Sequence, residues 1–160
     1  MEERFRKEIK DGSGVNMDHV VIMKKSWHLL EKIISGEKIC ESRWYKFRRD
    51  PWDRVKVGDI LWFKNSGESV TLKAVAKKVV QFSNLDQKKV RKIIKKHGRD
   101  ICLQQKFDEP LDEYFLSKNY CILVYLEKVK EIKPFDIDKT GFGISSAWLC
   151  VDDIKKIKKD

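Results

Sequence analysis

The chain has 160 residues, the size of a single domain, and its 17 aromatic residues can support a core without disulfides or a structural metal. Charged residues make up 38% of the sequence, and the formal net charge of +10 favours an acidic partner such as nucleic acid or anionic lipid. No apolar run reaches the roughly 18 residues that a membrane span requires, and the start of the chain lacks the apolar segment of a signal peptide. These features predict a globular cytoplasmic protein with no membrane partner.

The cysteines are too widely spaced for a zinc site, since they form no C-x-x-C pair and have no histidine pair nearby. We therefore expect reduced thiols, no bound metal and no cofactor. The cysteines are Cys40, Cys102, Cys121 and Cys150.

The first predicted elements are a strand and a helix. Residues 1–16 end in a Gly/Ser/Asn stretch and are expected to form a flexible leader, with the domain at residues 17–160. A buried strand is predicted at residues 19–23, followed by a helix that Ser26 caps and Gly36 ends. The apolar residues expected on the buried side of this helix are Trp27, Leu30, Ile33 and Ile34.

Strands are predicted next at residues 38–45 and 60–64, on either side of a charged surface loop. Turn residues around Gly67 predict a hairpin that continues as a strand over residues 70–80. A helix is then predicted over residues 85–97, where apolar residues recur at helical spacing and Gly98 ends the run.

The rest of the chain predicts a short helix at residues 111–117, a buried strand at 121–126, and a closing turn followed by a strand or short helix at 141–154. Residues 84–118 are interpreted as a helical insertion. The order, mostly strands with few helices, predicts a small α+β barrel and not a doubly wound sheet.

A lysine, a glutamate and an arginine lie close together at Lys38, Glu41 and Arg43. Side chains alternate along a strand, so Glu41 and Arg43 share one face and can form an ion pair. Lys38 joins them only if it lies in the turn after Gly36, before the strand begins. The alternative is a surface ion pair that contributes little stability.

These residues fill a G-x-K-x-x-E-x-R motif, which resembles the signature of the ASCH family, whose fold is PUA-like. The resemblance covers roughly residues 19–82, including the V-G-D step at residues 57–59, and leaves 84–118 as an insertion. It implies a small PUA-like mixed β-barrel with packed helices. The matching residues are Gly36, Lys38, Glu41 and Arg43.

The resemblance also implies that the protein binds RNA or a nucleotide-like ligand. Some family members are hydrolases of an acetylated cytidine or ribonucleases, and the activated lysine of the amidohydrolase-like members matches Lys38. Their threonine three residues later is replaced here by Glu41. Lys38 and Glu41 are thus candidate catalytic residues, and a hydrolase is the alternative to a binding module. A protein-interaction adaptor is a third hypothesis.

Residues 43–56 interleave six basic side chains and four aromatic rings with two acidic residues. This mixture suits single-stranded nucleic acid, whose phosphates bind cations and whose bases stack on rings. The alternative is that Trp44 and Trp52 pack inward. The candidate ligand-binding residues are Lys24, Trp27, Lys38, Glu41, Arg43, Trp44, Tyr45, Lys46, Arg48 and Arg49.

A second basic segment, residues 88–99, overlaps the predicted helix at residues 85–97. It has seven Lys or Arg and no acidic residue. Such a helix can present an anion-attracting face, or merely a solvated one. Its basic residues are Lys88, Lys89, Arg91, Lys92, Lys95, Lys96 and Arg99.

The segment around Gly141 and Gly143 lets the backbone and the hydroxyls of Ser145 and Ser146 approach a ligand. A tight turn is the preferred interpretation of the glycines, because a lone G-x-G is a weak motif. The second interpretation is that the two serines contribute to the floor of a binding cleft.

Overall fold

The structure, a computed structural model, describes residues 6–8, 16–103 and 110–160. Within these residues, seven strands form one sheet and two α-helices accompany it. The elements are β1 (Arg6–Glu8), β2 (Asp18–Met23), α1 (Leu29–Ser35), β3 (Cys40–Tyr45), β4 (Ile60–Asn65), β5 (Val70–Phe82), α2 (Gln87–Ile101), β6 (Tyr120–Phe135) and β7 (Trp148–Val151).

The sheet is mixed and strongly curved. Its order is β3-β6-β5-β4-β2-β7, with β1 paired to β5, and β2 runs parallel to β4 while the other pairs are antiparallel. Register shifts interrupt the long pairing of β5 with β6, and such bulges bend a strand. The two outermost strands approach each other, since Arg43 on β3 donates to the carbonyl oxygen of Ala147 beside β7. The predicted α+β barrel is confirmed as a half-barrel with a gap.

Both faces of the sheet are covered by apolar side chains. The interior of the half-barrel is filled by residues such as Phe63, Leu72 and Ile122, against which α1 packs Leu30 and Ile33. The outer face of β3 and β6 packs against α2 and the segment after it. The main residues of that second core are Cys40, Trp44, Val90, Ile93, Ile94, Phe115 and Leu123.

The predicted start of the first helix was wrong. Ser26 lies in a 3₁₀ turn, Lys25–Trp27, and makes no capping hydrogen bond. His28 then adopts a left-handed conformation with φ of 54°, so α1 begins only at Leu29. The short helix buries Leu30 and Ile33, whereas Trp27 and Ile34 are exposed. The predicted end at Gly36 is confirmed, because Gly36 has the φ of 83° typical of a C-cap.

The predicted end of the second helix at Gly98 was also wrong. The helix continues to Ile101 and ends at Cys102, which has a left-handed φ of 62°. Gly98 is needed inside the helix because the chain turns back over it, with Leu103 N donating to Gly98 O at 2.8 Å. A Cβ on Gly98 would lie 2.4 Å from the Leu103 oxygen.

Other expectations are met in part. The hairpin of β4 with β5 and the buried strand at residues 121–126 are confirmed, although β5 and β6 are longer than predicted. A 3₁₀ turn, Glu113–Phe115, replaces the expected helix at residues 111–117. Residues 1–5, 9–15 and 104–109, parts of the expected leader and insertion, lie outside the described residues. Three leader residues, Arg6–Glu8, nevertheless pair with β5.

We predict that Gly98→Ala destabilises the protein by about 1–3 kcal/mol, the usual cost of overpacking. In an ordinary helix position the same substitution would be stabilising by about 1 kcal/mol, so the sign of the effect is diagnostic. Urea denaturation measures the change, with Lys95→Ala on the exposed face of α2 as the control, expected within about 0.5 kcal/mol of wild type. Equal or higher stability of the Gly98→Ala variant would contradict the close approach.

Candidate functional site

A buried ion-pair cluster is centred on the carboxylate of Glu41. Its Oε1 lies 3.1 Å from Lys38 Nζ and its Oε2 lies 2.9 Å from Arg43 Nη2. The side chains of Lys38 and Glu41 are only 2% and 5% exposed. Lys38 precedes β3 in the turn after Gly36, and this position brings the three charged groups together as the sequence predicted.

Lys38 also connects the cluster to the C-terminus of α2. Its Nζ donates to the carbonyl oxygen of Ile101, the last residue of the helix, at 2.9 Å. The next residue, Ile39, also bonds the end of α2, because its backbone N–H donates to Asp100 O at 3.0 Å. A cation at a helix C-terminus is stabilising. Lys38 therefore fixes the end of α2 and one oxygen of Glu41 at once.

The pKa of Glu41 lies below its usual value. Burial alone would raise it, but the charges and hydrogen bonds of Lys38 and Arg43 outweigh burial. Besides Lys38 Nζ and two nitrogens of Arg43, Ser42 N also donates to this carboxylate, at 3.2 Å from Oε1. A lowered folded-state pKa means that the stabilisation is fully present above the unfolded pKa of a glutamate and is lost as the pH falls through the folded value.

Arg43 bridges the gap in the half-barrel. Its Nη1 donates to Ala147 O at 3.3 Å and its Nη2 to Ile22 O at 3.2 Å, while Nε bonds Glu41. The guanidinium also lies 5.3 Å from the centroid of the Trp148 ring. Arg43 thus joins β3 to the edge formed by β2 and β7, and most of its donors bind groups of the protein itself.

A cleft of about 240 Å³ lies at this gap, between the end of β3 and the segment before β7. The Arg49 guanidinium lies 5.4 Å from the Tyr45 ring, and no carboxylate pairs with it among the described residues. Asp50, in contrast, is paired with Arg54 at 3.1 Å. The lining residues are Arg43, Tyr45, Arg49, Asp50, Ser145, Ser146, Ala147 and Trp148.

The Tyr45 hydroxyl is a hydrogen-bond donor at neutral pH. Burial raises the pKa of Tyr45, an effect that the nearby charges of Arg43 and Arg49 only partly offset. The cleft therefore offers a planar cation, a phenol and the hydroxyls of Ser145 and Ser146. This donor set is suited to phosphate or carbonyl oxygens.

The structure separates the other predicted ligand-binding residues from the cleft lining. Trp44 is buried against Phe115, with ring centroids 4.8 Å apart, so the inward-packing alternative describes it. Lys38 and Glu41 lie behind Arg43 and do not line the cleft. Lys24 and Trp27 are exposed and form a cation–π pair with each other. Lys46 and Arg48 are exposed beside the cleft.

The basic residues of α2 lie on a separate surface. The helix turns its apolar residues toward β3 and β6, as the spacing predicted. Lys89 and Arg91 are half-buried. The exposed cations of the helix are Lys88, Lys92, Lys95, Lys96 and Arg99.

A second buried network, missed at the sequence level, supports the floor of the cleft. Asp59 Oδ2 lies 2.7 Å from His19 Nε2, and Trp148 Nε1 donates to His19 Nδ1 at 3.0 Å. An indole nitrogen can only donate, so His19 Nδ1 is the acceptor and the ring proton is on Nε2. Asp59 also accepts from the backbone N–H groups of Met17 and Lys56. The V-G-D step that ends in Asp59 was the only signal of this network.

No group of three or more His, Cys, Asp or Glu side chains in the described residues could hold a metal ion. No helix in this part of the chain is long and apolar enough to cross a membrane.

We predict that Lys38→Met destabilises the protein by about 3–5 kcal/mol at pH 7, because it leaves the buried Glu41 carboxylate short of a partner. The loss should shrink as the pH falls through the lowered folded-state pKa of wild-type Glu41, because below that pKa the carboxyl group is protonated in both proteins. Urea denaturation across this pH range measures it. The matched control is Lys95→Met on the exposed face of α2, and a loss independent of pH would contradict the prediction.

We predict that His19→Phe destabilises the protein by about 2–4 kcal/mol, since it leaves Trp148 Nε1 unpaired in the core and removes one of the two hydrogen bonds to Asp59 Oδ2. The indole N–H of Trp148, followed by NMR, should change its resonance and exchange faster with solvent. His28→Asn, at an exposed left-handed position that asparagine tolerates, is the control. An unchanged indole resonance in His19→Phe would show that the network does not exist.

Comparison with known proteins identifies the architecture. No protein-family model and no curated protein matches the sequence. Three solved structures of an ASCH protein from Zymomonas mobilis are similar, each at 19% sequence identity. The first has a TM-score of 0.59 over 82% of this chain and 85% of that one.

The other two similar structures are single-substitution variants of the Zymomonas mobilis protein, one tyrosine to phenylalanine and one serine to alanine. Their TM-scores are 0.62 and 0.63, over 87% and 89% of this chain and 94% of each variant chain. At this identity the likeness establishes the fold. The α+β, PUA-like barrel implied by the G-x-K-x-x-E-x-R motif is confirmed, and the chain has the fold of an ASCH domain.

Proposed function

We propose that this protein is an RNA- or nucleotide-binding member of the ASCH family and that its ligand occupies the cleft between β3 and β7. The lining of the cleft is the observation that supports this most. Arg49 is a cation without a carboxylate partner among the described residues, and it lines the cleft together with three hydroxyl-bearing residues, Tyr45, Ser145 and Ser146. Guanidinium groups bind phosphate, and hydroxyls complete its hydrogen bonds.

The charge around the cleft supports a polyanionic ligand. Lys46 and Arg48 are exposed beside it, and the Arg48 guanidinium lies 5.6 Å from Trp52 and 5.5 Å from Tyr120. Rings combined with cations are typical of surfaces that bind single-stranded nucleic acid. The exposed lysines of α2 would add long-range attraction, and a cytoplasmic location, as expected from the sequence, would expose the protein to RNA.

Hydrolysis with Lys38 as the base is less well supported. Its Nζ is buried, pairs with Glu41 and Ile101, and does not line the cleft. The amine is therefore engaged by groups of the protein itself and is not directed at a substrate in the cleft. The replacement of the expected threonine by Glu41 points the same way. Release of acetate from acetylated cytidine, or cleavage of RNA, by the purified protein would contradict binding without catalysis.

Substitution of the hydroxyl-bearing residues of the cleft tests the proposed binding site. One tyrosine and one serine are the residues replaced in the Zymomonas mobilis variants. A tyrosine and two serines bring the hydroxyls to the cleft of this chain. Tyr45→Phe and Ser146→Ala therefore test whether these hydroxyls contact the ligand.

We predict that Arg49→Ala weakens binding of a labelled ten-nucleotide single-stranded RNA about tenfold, because it removes a charge-assisted hydrogen bond to phosphate. Fluorescence anisotropy at several salt concentrations measures the affinity. The slope of log affinity against log salt should become less steep by about 0.7 for each phosphate that the variant no longer neutralises.

The control for this prediction is Lys133→Ala, which removes one exposed charge at the opposite end of β6 from Tyr120. It should bind the RNA nearly as wild type does. Equally weakened binding by Arg49→Ala and Lys133→Ala would show that only the net charge matters and that the cleft is not the binding site.

A further inference from the structure

Four ring and cation pairs lie at the end of β3, in the residues that follow it, and at the start of β6 and the residues that precede it. In each pair the charged group of a lysine or arginine lies over an aromatic ring, at 4.4 to 5.6 Å from its centroid. The pairs are Arg49 with Tyr45, Arg48 with Tyr120, Lys46 with Phe47, and Lys118 with Tyr114.

Two of these pairs, Lys46 with Phe47 and Lys118 with Tyr114, lie outside the cleft lining and are called the outer pairs. Hydrogen bonds hold the segments that carry them against each other. Asn119 N donates to Tyr45 O and Asn119 Nδ2 donates to Lys46 O, both at 2.9 Å. These bonds fix the chain after the 3₁₀ turn Glu113–Phe115 against the residues that follow β3. Two residues span at most about 7 Å, so Phe47, in the bend that follows β3, lies close to Tyr45.

The 3₁₀ turn that carries Tyr114 is held by two contacts, one with the core and one at its start. Phe115 packs against Trp44 in the core, with ring centroids 4.8 Å apart. The side chain of Asp112 accepts from Tyr114 N at 2.8 Å, so this acidic group is engaged in capping the turn. Tyr114 is therefore an exposed ring on a fixed backbone.

The outer rings are exposed far beyond what aromatic side chains usually show. Phe47 is 71% and Tyr114 is 51% exposed. The nearby cations of Lys46 and Lys118 form no salt bridge with a described carboxylate. A flat ring in solvent with an unpaired cation above it provides a stacking surface and a phosphate contact together.

We propose that Phe47 and Tyr114, with Lys46 and Lys118, form a second subsite that stacks an unpaired base of a single-stranded RNA whose neighbouring nucleotide occupies the cleft. This inference rests on the proposed function and deepens it, because a free nucleotide in the cleft would not reach the second subsite. Single-stranded RNA fits better than a protein partner, since cations interrupt the apolar surface at each ring.

The test compares the affinities of variants for a ten-nucleotide single-stranded RNA and for uridine monophosphate. Tyr114→Ala and Phe47→Ala should each weaken RNA binding about fivefold to tenfold, the lower part of the range for base stacking. Affinity for the mononucleotide should not change. Tyr114→Phe keeps the ring and should bind RNA like wild type.

The matched control is Leu116→Ala, in the same segment, where the side chain is 54% exposed but carries no ring. It should not affect RNA binding. Equal weakening by Leu116→Ala and Tyr114→Ala would indicate a general apolar surface for a protein partner and would overturn the subsite. RNA binding at wild-type strength by both ring variants would also overturn it.

The two levels of the proposal fail differently. If Arg49→Ala weakens RNA binding and the ring variants do not, the second subsite is wrong and the proposed function stands. If the wild-type protein binds neither RNA nor uridine monophosphate, both are wrong. If mononucleotide binding is too weak to measure, the difference between Tyr114→Ala and Leu116→Ala on RNA decides.

Discussion

The arrangement of the cleft depends on the burial of one carboxylate, that of Glu41. A charge taken out of water is costly unless opposite charges and hydrogen bonds compensate it, so the position of Glu41 dictates where Lys38 and Arg43 must lie. Each of those cations is in turn bound to a backbone carbonyl of another element, Lys38 to Ile101 and Arg43 to Ala147. One ionised group thereby joins α2, β3 and the β2–β7 edge, and the half-barrel is held at its gap by side chains in place of strand pairing.

A second network reaches the same place from the opposite side of the barrel. Asp59 fixes the tautomer of His19, which fixes the indole of Trp148, and the Arg43 guanidinium rests against that indole. The floor of the cleft is therefore held from two directions by buried polar groups, whereas its walls come from loops. Rigid support beneath loop-borne contact residues is a common design of binding sites, because the loops can vary without disturbing the fold.

Local chemistry was predictable from the sequence, and long-range proximity was not. Strand alternation and the turn after Gly36 were enough to bring Lys38 to Glu41, because these effects act over a few residues. The burial of that pair could not be foreseen, since it depends on the end of α2, with 63 positions separating Lys38 from Ile101. The contact between His19 and Trp148 spans 129 residues and leaves no local pattern. Gly98 was misread for the same reason, because the carbonyl that excludes a side chain there belongs to a later turn.

The G-x-K-x-x-E-x-R motif is thus used here for architecture more than for ligand contact. Lys38 and Glu41 are enclosed, and most donors of Arg43 are occupied by the protein, whereas Arg49, Ser145 and Ser146 line the cleft from outside the motif. We infer that the motif fixes where the cleft forms and that the loops fix what it binds. Glu41 is central to this division, because its carboxylate pairs with Lys38 inside the protein and gives the lysine a structural role.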